Sequence, residues 1–255
     1  MWSNPELENR IETAVAWLRE QAANAKARGL VVGLSGGVDS AVVAGLCKGA
    51  FPENSIGVIM PSQSAPEDRE DALLAAETYG LKVVEVGLEE VHQGILEKVQ
   101  DGLQEQGLSF EGQLSQGNLK ARLRMATLYT VANALNYLVV GTDNAPESYT
   151  GYFTKYGDGG VDVLPISSLT KAEVRAWAAQ LGLPDKLVNR VPSAGLWPGQ
   201  TDENEMGITY DHIDRYLLGE EISAEEIAKI EKLHRQSEHK RHTPPALDLP
   251  KLKKL

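Results

Sequence analysis

A doubly wound α/β fold, a mostly parallel sheet flanked by helices, is predicted by the pattern of apolar runs in this chain. Four short runs rich in Val and Ile recur at "GLVVGL" (29–34), "SIGVIM" (55–60), "LKVVEV" (81–86) and "YLVVGT" (137–142). Segments with apolar spacing near 3.6 separate them: "SAVVAGLCKGA", "APEDREDALLAAETYG" and "NLKARLRMATLYTVANAL". The runs also lack strict polar alternation, which implies burial on both faces and helical crossovers between parallel strands.

Taken in order, the N-terminal stretch "MWSNPELENRIETAVAWLREQ" carries charges throughout and reads as an amphipathic helix rather than a signal peptide. The two later helices begin at capping boxes, "TKAE" from Thr170 to Glu173 and "SAEE" from Ser223 to Glu226. The C-terminal third is therefore expected to be helical and to pack on the sheet. Between these starts, "VPSAGLWPGQTDENEMG" (191–207) has the composition of a long loop or lid. No repeat or composition break divides the chain, so residues 1–255 are expected to form a single domain.

The balance of 25 Lys plus Arg against 36 Asp plus Glu, a formal charge of −11, argues against a general nucleic-acid or membrane-surface binder. No stretch of 18 apolar residues offers a transmembrane helix, and a cytoplasmic protein is expected. The single Cys47 has no disulfide partner and no zinc cluster; it reads as a small buried hydrophobe in a reducing compartment.

The loop "GLSGGVDS", Gly33 to Ser40, follows the first apolar run and opens a helix, the place where parallel sheets bind ligands. Gly36 and Gly37 let backbone N–H groups converge on an anion at the positive helix end, and Ser35 and Ser40 add hydroxyls. It is neither a GxxxxGK[ST] loop nor a GxGxxG fingerprint. Asp39 would repel a bare phosphate but suits one bridged by Mg²⁺, since hard cations take carboxylate and phosphate oxygens together. The plain alternative is a strand-to-helix turn with Asp39 as an N-cap.

"SGGVDS" after a buried strand resembles the loop of the N-type ATP pyrophosphatases, Rossmann-like enzymes that cleave ATP between its α and β phosphates to adenylate a substrate. Four further stretches narrow the resemblance: "GNLKARLRMATLY" (117–129), "GTDNAPESYTGYFTKYGDGGVDVLPISSLTK" (141–171), "VPSAGLWPGQTDENEMGITYDHID" (191–214) and "EHKRHTPP" (238–245). Together they resemble the NAD synthetase family from about Leu30 to Pro245. That resemblance implies ATP-dependent amidation of deamido-NAD through an NAD-adenylate, releasing AMP and pyrophosphate, in the last step of NAD formation.

The same resemblance implies roles for particular residues. ATP would meet Gly33, Leu34, Ser35, Gly36, Gly37, Val38, Asp39, Ser40, Thr142, Lys171 and Ser193, with Met60 to Ser62 beside adenine. Arg69 is a weaker ATP contact, and a solvated surface arginine is the alternative. Asp39 and Glu147 would hold Mg²⁺, while Asp39, Lys171 and Ser193 form the catalytic set. Lys171 stands in the first turn of a helix, where a cation is disfavoured unless an anion joins it. Deamido-NAD would meet Arg122, Lys155, Asp162, His239 and Lys240; a turn at Asp162 and a solvated helix end at "HKRH" are the plainer readings. Glu147 has its own plainer reading, a helix-start carboxylate.

The resemblance implies a homodimer with deamido-NAD at the subunit interface, to which the apolar side chains of "RMATLYTVANAL" contribute unless they fill the core. Cys47, on an apolar helix face, does not suit an activated thiolate, so free ammonia is the expected nitrogen donor. Two rival functions remain: another adenylating ATP pyrophosphatase, GMP-synthetase-like or a thiolase, and a non-catalytic ATP-binding module.

Overall fold

The computed structural model describes residues 3–110, 112–197 and 199–248. In chain order the elements are α1 (Asn4–Asn24), β1 (Gly29–Gly33), α2 (Val38–Ala50), β2 (Ser55–Ile59), α3 (Pro66–Tyr79), β3 (Lys82–Glu85), α4 (Glu89–Glu105), α5 (Gln113–Leu135) and β4 (Tyr137–Val140). There follow α6 (Ala145–Thr150), α7 (Lys171–Gln180), α8 (Asp185–Val188), α9 (Asp202–Met206), α10 (Tyr210–Leu217), α11 (Ala224–Gln236) and a 3₁₀ turn at Glu238–Lys240.

All four expected strands form one parallel sheet in the order β3-β2-β1-β4. Because side chains alternate across a strand, Val31 and Val32 face opposite ways, and both are fully buried. Val32 joins Leu18, Leu46 and Trp177 under α1, α2 and α7; Val31 joins Met60, Ala132 and Val139 under α5. The sheet is thus covered on both faces at its centre. At β3 the expectation of two buried faces is corrected: Lys82, Val84 and Glu85 are exposed, because this edge strand has only β2 beside it.

The apolar side chains Leu123, Leu128, Tyr129 and Val131 of α5 pack in the second core. Residue Thr170 caps α7 and Ser223 caps α11 as the capping boxes predict, each accepting from the backbone amide three residues on. The C-terminal third is helical, and its α7 and α8 join the core beneath the sheet through Val174, Trp177 and Leu187. Helices α9 to α11 build a separate core of Met206, Tyr210, Ile213 and Ile230 against Tyr149 and Tyr152, because the chain leaves the sheet after β4 through α6. Within the expected 191–207 loop, residues Asp202–Met206 are helical; Pro198 lies outside the described residues, as do Met1 and Trp2 of the N-terminal stretch. Helix α1 buries Leu7, Ala14, Leu18 and Ala22 along one stripe, confirming its amphipathic reading. No described helix is long and apolar enough to cross a membrane.

Cys47 is fully buried in α2, and burial pushes its thiol well above the ordinary range. A Cys47→Ala variant is therefore expected to keep its activity, with a small stability loss of about 1 kcal/mol for the vacated sulfur volume. Thiol titration of the native wild type, expected to show no reaction until denaturant is added, checks the burial.

Candidate active site

From β1 the chain moves to β2 on one side, while β4 lies on the other, so the loops leaving β1 and β4 diverge and open a crevice between them. A cavity of about 330 Å³ occupies it. The loop after β1 forms its floor through a closed chain of hydrogen bonds. Ser35 Oγ donates to Ser40 Oγ at 3.1 Å, Ser40 Oγ donates to the Gly37 carbonyl at 2.9 Å, and the Gly37 amide donates to Ser35 Oγ at 3.2 Å. Gly36 adopts φ +82°, and a Cβ there would lie 2.5 Å from the Asp68 carbonyl oxygen. Gly36→Ala is consequently expected to weaken ATP binding and to lower stability by about 1–3 kcal/mol, read by calorimetry and by thermal midpoint. Unchanged affinity would show that the φ of this loop does not matter to the ligand.

Behind the floor, Lys171 links three elements. Its ammonium, on α7, donates to Asp39 Oδ2 of α2 at 2.6 Å and to Glu147 Oε1 of α6 at 3.2 Å, with a side-chain exposure of 2%. Asn144 caps α6 and donates from Nδ2 to Asp39 Oδ1 at 2.8 Å. The Tyr210 hydroxyl lies 2.9 Å from Glu147 Oε1 and 2.8 Å from Asp202 Oδ2, and its single proton serves one at a time. The conflict of a cation at the start of α7 is resolved within the protein: Asp39 and Glu147 neutralise the side chain, and Asp214 accepts from the amides of Lys171 and Ala172 at 3.0 Å each.

Carboxylates outnumber cations in this cluster. Burial pushes the Glu147 carboxyl up to about 7; Lys171 opposes the rise, while Asp39 and Asp202 add to it. Burial raises the Asp202 carboxyl too, and burial together with Asp158, Glu147 and Asp39 holds the Asp143 carboxyl well above its usual value. For Lys171 burial disfavours the charge, but Asp39 and Glu147 outweigh it and raise its pKa. One Asp202 carboxylate oxygen is buried without a partner. This surplus of negative charge suits a divalent cation. Among the described residues no three or more potential ligands are grouped as a complete metal site, so a cation held by Asp39 and Glu147 would complete its shell with phosphate or water oxygens.

Of the residues assigned to ATP, Gly33, Leu34, Ser35, Gly37, Asp39, Ser40, Met60, Arg69, Thr142 and Ser193 line the cavity, as does Glu147. Gly36, Val38 and Lys171 do not: Val38 is packed in the core, and Lys171 lies behind the two carboxylates. Arg69 pairs with Glu85 through two bonds of 2.7 and 2.8 Å, and Ser193 Oγ donates to the Gln200 carbonyl at 2.8 Å. The residues assigned to deamido-NAD are more dispersed. Lys240 reaches the cavity and donates to the carbonyls of Gly151 and Phe153. Lys155 donates to the His239 carbonyl, and Arg122 donates to the Lys155 carbonyl at 3.4 Å, so these three gather together, but none of them lines the cavity. Asp162 is engaged elsewhere, accepting from the Val139 amide of β4 at 2.8 Å and from the Tyr129 hydroxyl at 3.0 Å.

Several side chains at the site had no sequence signal of their own. Asn144, Asp202 and Tyr210 join the Lys171 cluster, and Arg124 and Arg190 line the cavity. The capping spacing of Asn144 to Glu147 was readable as a helix start; the contact of Asn144 with Asp39, 105 residues away, was not.

A parallel sheet with a serine-and-glycine loop after its first strand, and a carboxylate-rich cluster after its fourth, defines an α/β enzyme whose site lies at the carboxyl ends of its strands. The chain belongs to the NAD synthase family, whose model matches residues 10–244. It is 55% identical over 242 residues to the NH(3)-dependent NAD(+) synthetase of Alkaliphilus oremlandii, covering 94% of this chain and 97% of that protein. Among solved structures it is similar to the NMN synthetase of Francisella tularensis, with a TM-score of 0.89 and 38% identity over 98% of this chain and all of that one. It is also similar to the NH3-dependent NAD synthetase of Campylobacter jejuni, with a TM-score of 0.77 and 30% identity over 95% of this chain and 99% of that one.

Proposed function

We propose that this site amidates deamido-NAD with ammonia at the expense of ATP, through an NAD-adenylate, releasing AMP and pyrophosphate. The observation that carries the reading is the position of the Asp39–Lys171–Glu147 cluster directly behind the Ser35–Ser40 cradle, in a chain of this family. A nicotinate carboxylate resists attack by ammonia until its oxygen is made a good leaving group, which AMP provides. Residues Ser35, Gly37 and Ser40 grip the departing pyrophosphate with hydroxyl and amide donors, and Thr142 and Ser193 bind ATP from the opposite walls. Arg69 and the Met60 backbone border the nucleotide. Asp39 and Glu147 are the residues that would hold Mg²⁺, which supplies charge neutralisation for the triphosphate. Lys171 keeps these two carboxylates fixed and, behind them, adds positive potential where charge develops.

Arg122, Lys155, His239 and Lys240 supply the cations for deamido-NAD, and Asp162, already held by the Val139 amide and the Tyr129 hydroxyl, is the remaining assigned contact. The chain works as a homodimer in this reading. Supporting it, Val91, Ile95 and Val99 form an exposed apolar stripe at four-residue spacing on α4. Residues 1–255 act as one catalytic domain in the cytoplasm.

The test is product analysis with ATP, Mg²⁺, ammonium and either deamido-NAD or nicotinic acid mononucleotide. Formation of NAD, AMP and pyrophosphate in equal amounts is expected, and no NAD would sink the reading. The mononucleotide arm addresses a second reading, favoured by the similarity to the Francisella NMN synthetase, in which the smaller substrate is preferred.

A further inference from the structure

Arg190, between α8 and Ser193, makes three contacts that neither a surface arginine nor a plain ATP ligand requires. Its Nη1 donates to the Gly36 carbonyl at 3.0 Å and to Asp71 Oδ2 at 2.8 Å, while Nη2 donates to Asp68. Asp68 and Asp71 stand three apart on α3, hence on one helix face, and the Asp71 side chain is only 4% exposed. The guanidinium fork is therefore fixed and neutralised before any ligand arrives.

The bond to Gly36 has a geometric consequence. No peptide bond among the described residues is cis, and in a trans unit the C=O and N–H point to opposite sides. Holding the Gly36 carbonyl toward α3 therefore turns the Gly37 N–H the other way. That N–H meets Ser35 Oγ at 3.2 Å, and both Gly37 and Ser35 line the cavity, whereas Gly36 does not. The glycine at φ +82° is what permits the turn, and a Cβ there would lie 2.6 Å from Arg190 Nη1. Such alternation of backbone amides around an anion is the arrangement of a phosphate nest.

We propose that Arg190 is a positioning residue of the cradle: it fixes the Gly36–Gly37 peptide so that the Gly37 amide faces the pyrophosphate. It also joins α3 and the strand of chain leading to Ser193 to the same loop. The inference rests on the reading of the glycine loop as the grip for pyrophosphate.

The test is equilibrium calorimetry of the full chain with ATP, inorganic pyrophosphate and deamido-NAD in the presence of Mg²⁺, alongside steady-state kinetics. Arg190→Met is expected to weaken ATP and pyrophosphate binding about tenfold and to raise KM for ATP equally, as loss of a charged hydrogen-bond donor does, with deamido-NAD affinity unchanged. Arg190→Lys, which can still reach one carbonyl but lacks the fork, should recover part of the loss. Asp71→Asn, which loosens the arginine while keeping its charge, should also weaken pyrophosphate binding. Tighter pyrophosphate binding in Asp71→Asn would mean that the cation grips the ligand directly and would overturn the proposal. So would wild-type affinity in Arg190→Met, or a uniform loss for all three ligands with a lowered thermal midpoint. A wild type that binds pyrophosphate yet forms no NAD would count against the amidation alone, which keeps the two failures apart.

Discussion

Asp39→Asn is expected to lower turnover about 10²- to 10³-fold, the range seen when a fixed electrostatic group is removed from an active site. The two oxygens of Asp39 have different tasks: Oδ1 accepts from Asn144 and Oδ2 from Lys171. An asparagine has one acceptor and one donor at these positions, so either orientation sets an NH₂ group against a second donor. It also takes a carboxylate from the proposed pair for Mg²⁺. The fold should persist, because α2 is held by the buried Val42, Val43 and Leu46 rather than by Asp39. Measuring AMP and NAD formation over a range of Mg²⁺ concentrations, with a thermal midpoint as control, decides the matter. Near-normal turnover at ordinary Mg²⁺ would remove Asp39 from the chemistry.

Lys171→Met carries the second large effect, this time on stability as well as activity. The ammonium is the cation between Asp39 and Glu147, and removing one partner of a buried ionic group costs about 3–5 kcal/mol because the remaining charge is left uncompensated. The loss should depend on pH. In the wild type Glu147 already titrates at about 7, above its ordinary 4.5, with Lys171 the main influence holding it down and Asp39 and Asp202 pushing it up. Without the lysine its folded-state pKa rises further. A carboxyl with a raised folded pKa contributes most below its unfolded pKa, and that contribution is lost as pH rises through the folded value. The variant should therefore lie closest to wild type near pH 5 and fall away through pH 7 to 8. Urea unfolding in metal-free buffer at pH 5 and pH 8 reads this directly, and an equal deficit at both would show that Glu147 does not take up the proton. Tyr210 and Asn144 hydrogen-bond Glu147, and the raised carboxyls of Asp143 and Asp202 face the same cluster, so they share in the pH response of the variant.

The Lys171 example also shows how much of the site was legible. Its presence at a helix start was an electrostatic anomaly visible from the capping box alone, and it called for an anion nearby. The sequence points to bound phosphate; the structure supplies Asp39, Glu147 and Asp214, which come from three other helices. Val38 lies in the loop assigned to ATP, and its side chain belongs to the core. Asp162 matched a substrate contact by its motif, yet its carboxylate holds the amide of β4 and a tyrosine of α5. Arg190 fitted no pattern at all, because its partners Gly36, Asp68 and Asp71 lie more than a hundred residues away.

From the sequence alone came the four strands, their helices, the cradle after the first strand and the family to which the chain belongs. Those features rest on local physics: side-chain periodicity, capping spacing and the freedom of adjacent glycines act over a few residues, so neighbours in sequence suffice to express them. Tertiary structure alone decided which carboxylates surround Lys171, that β3 is an exposed edge, that α11 leaves the sheet, and that an arginine braces the cradle. Burial and charge pairing depend on distances between segments remote in the chain, and those distances exist only once the sheet has brought the ends of β1 and β4 together.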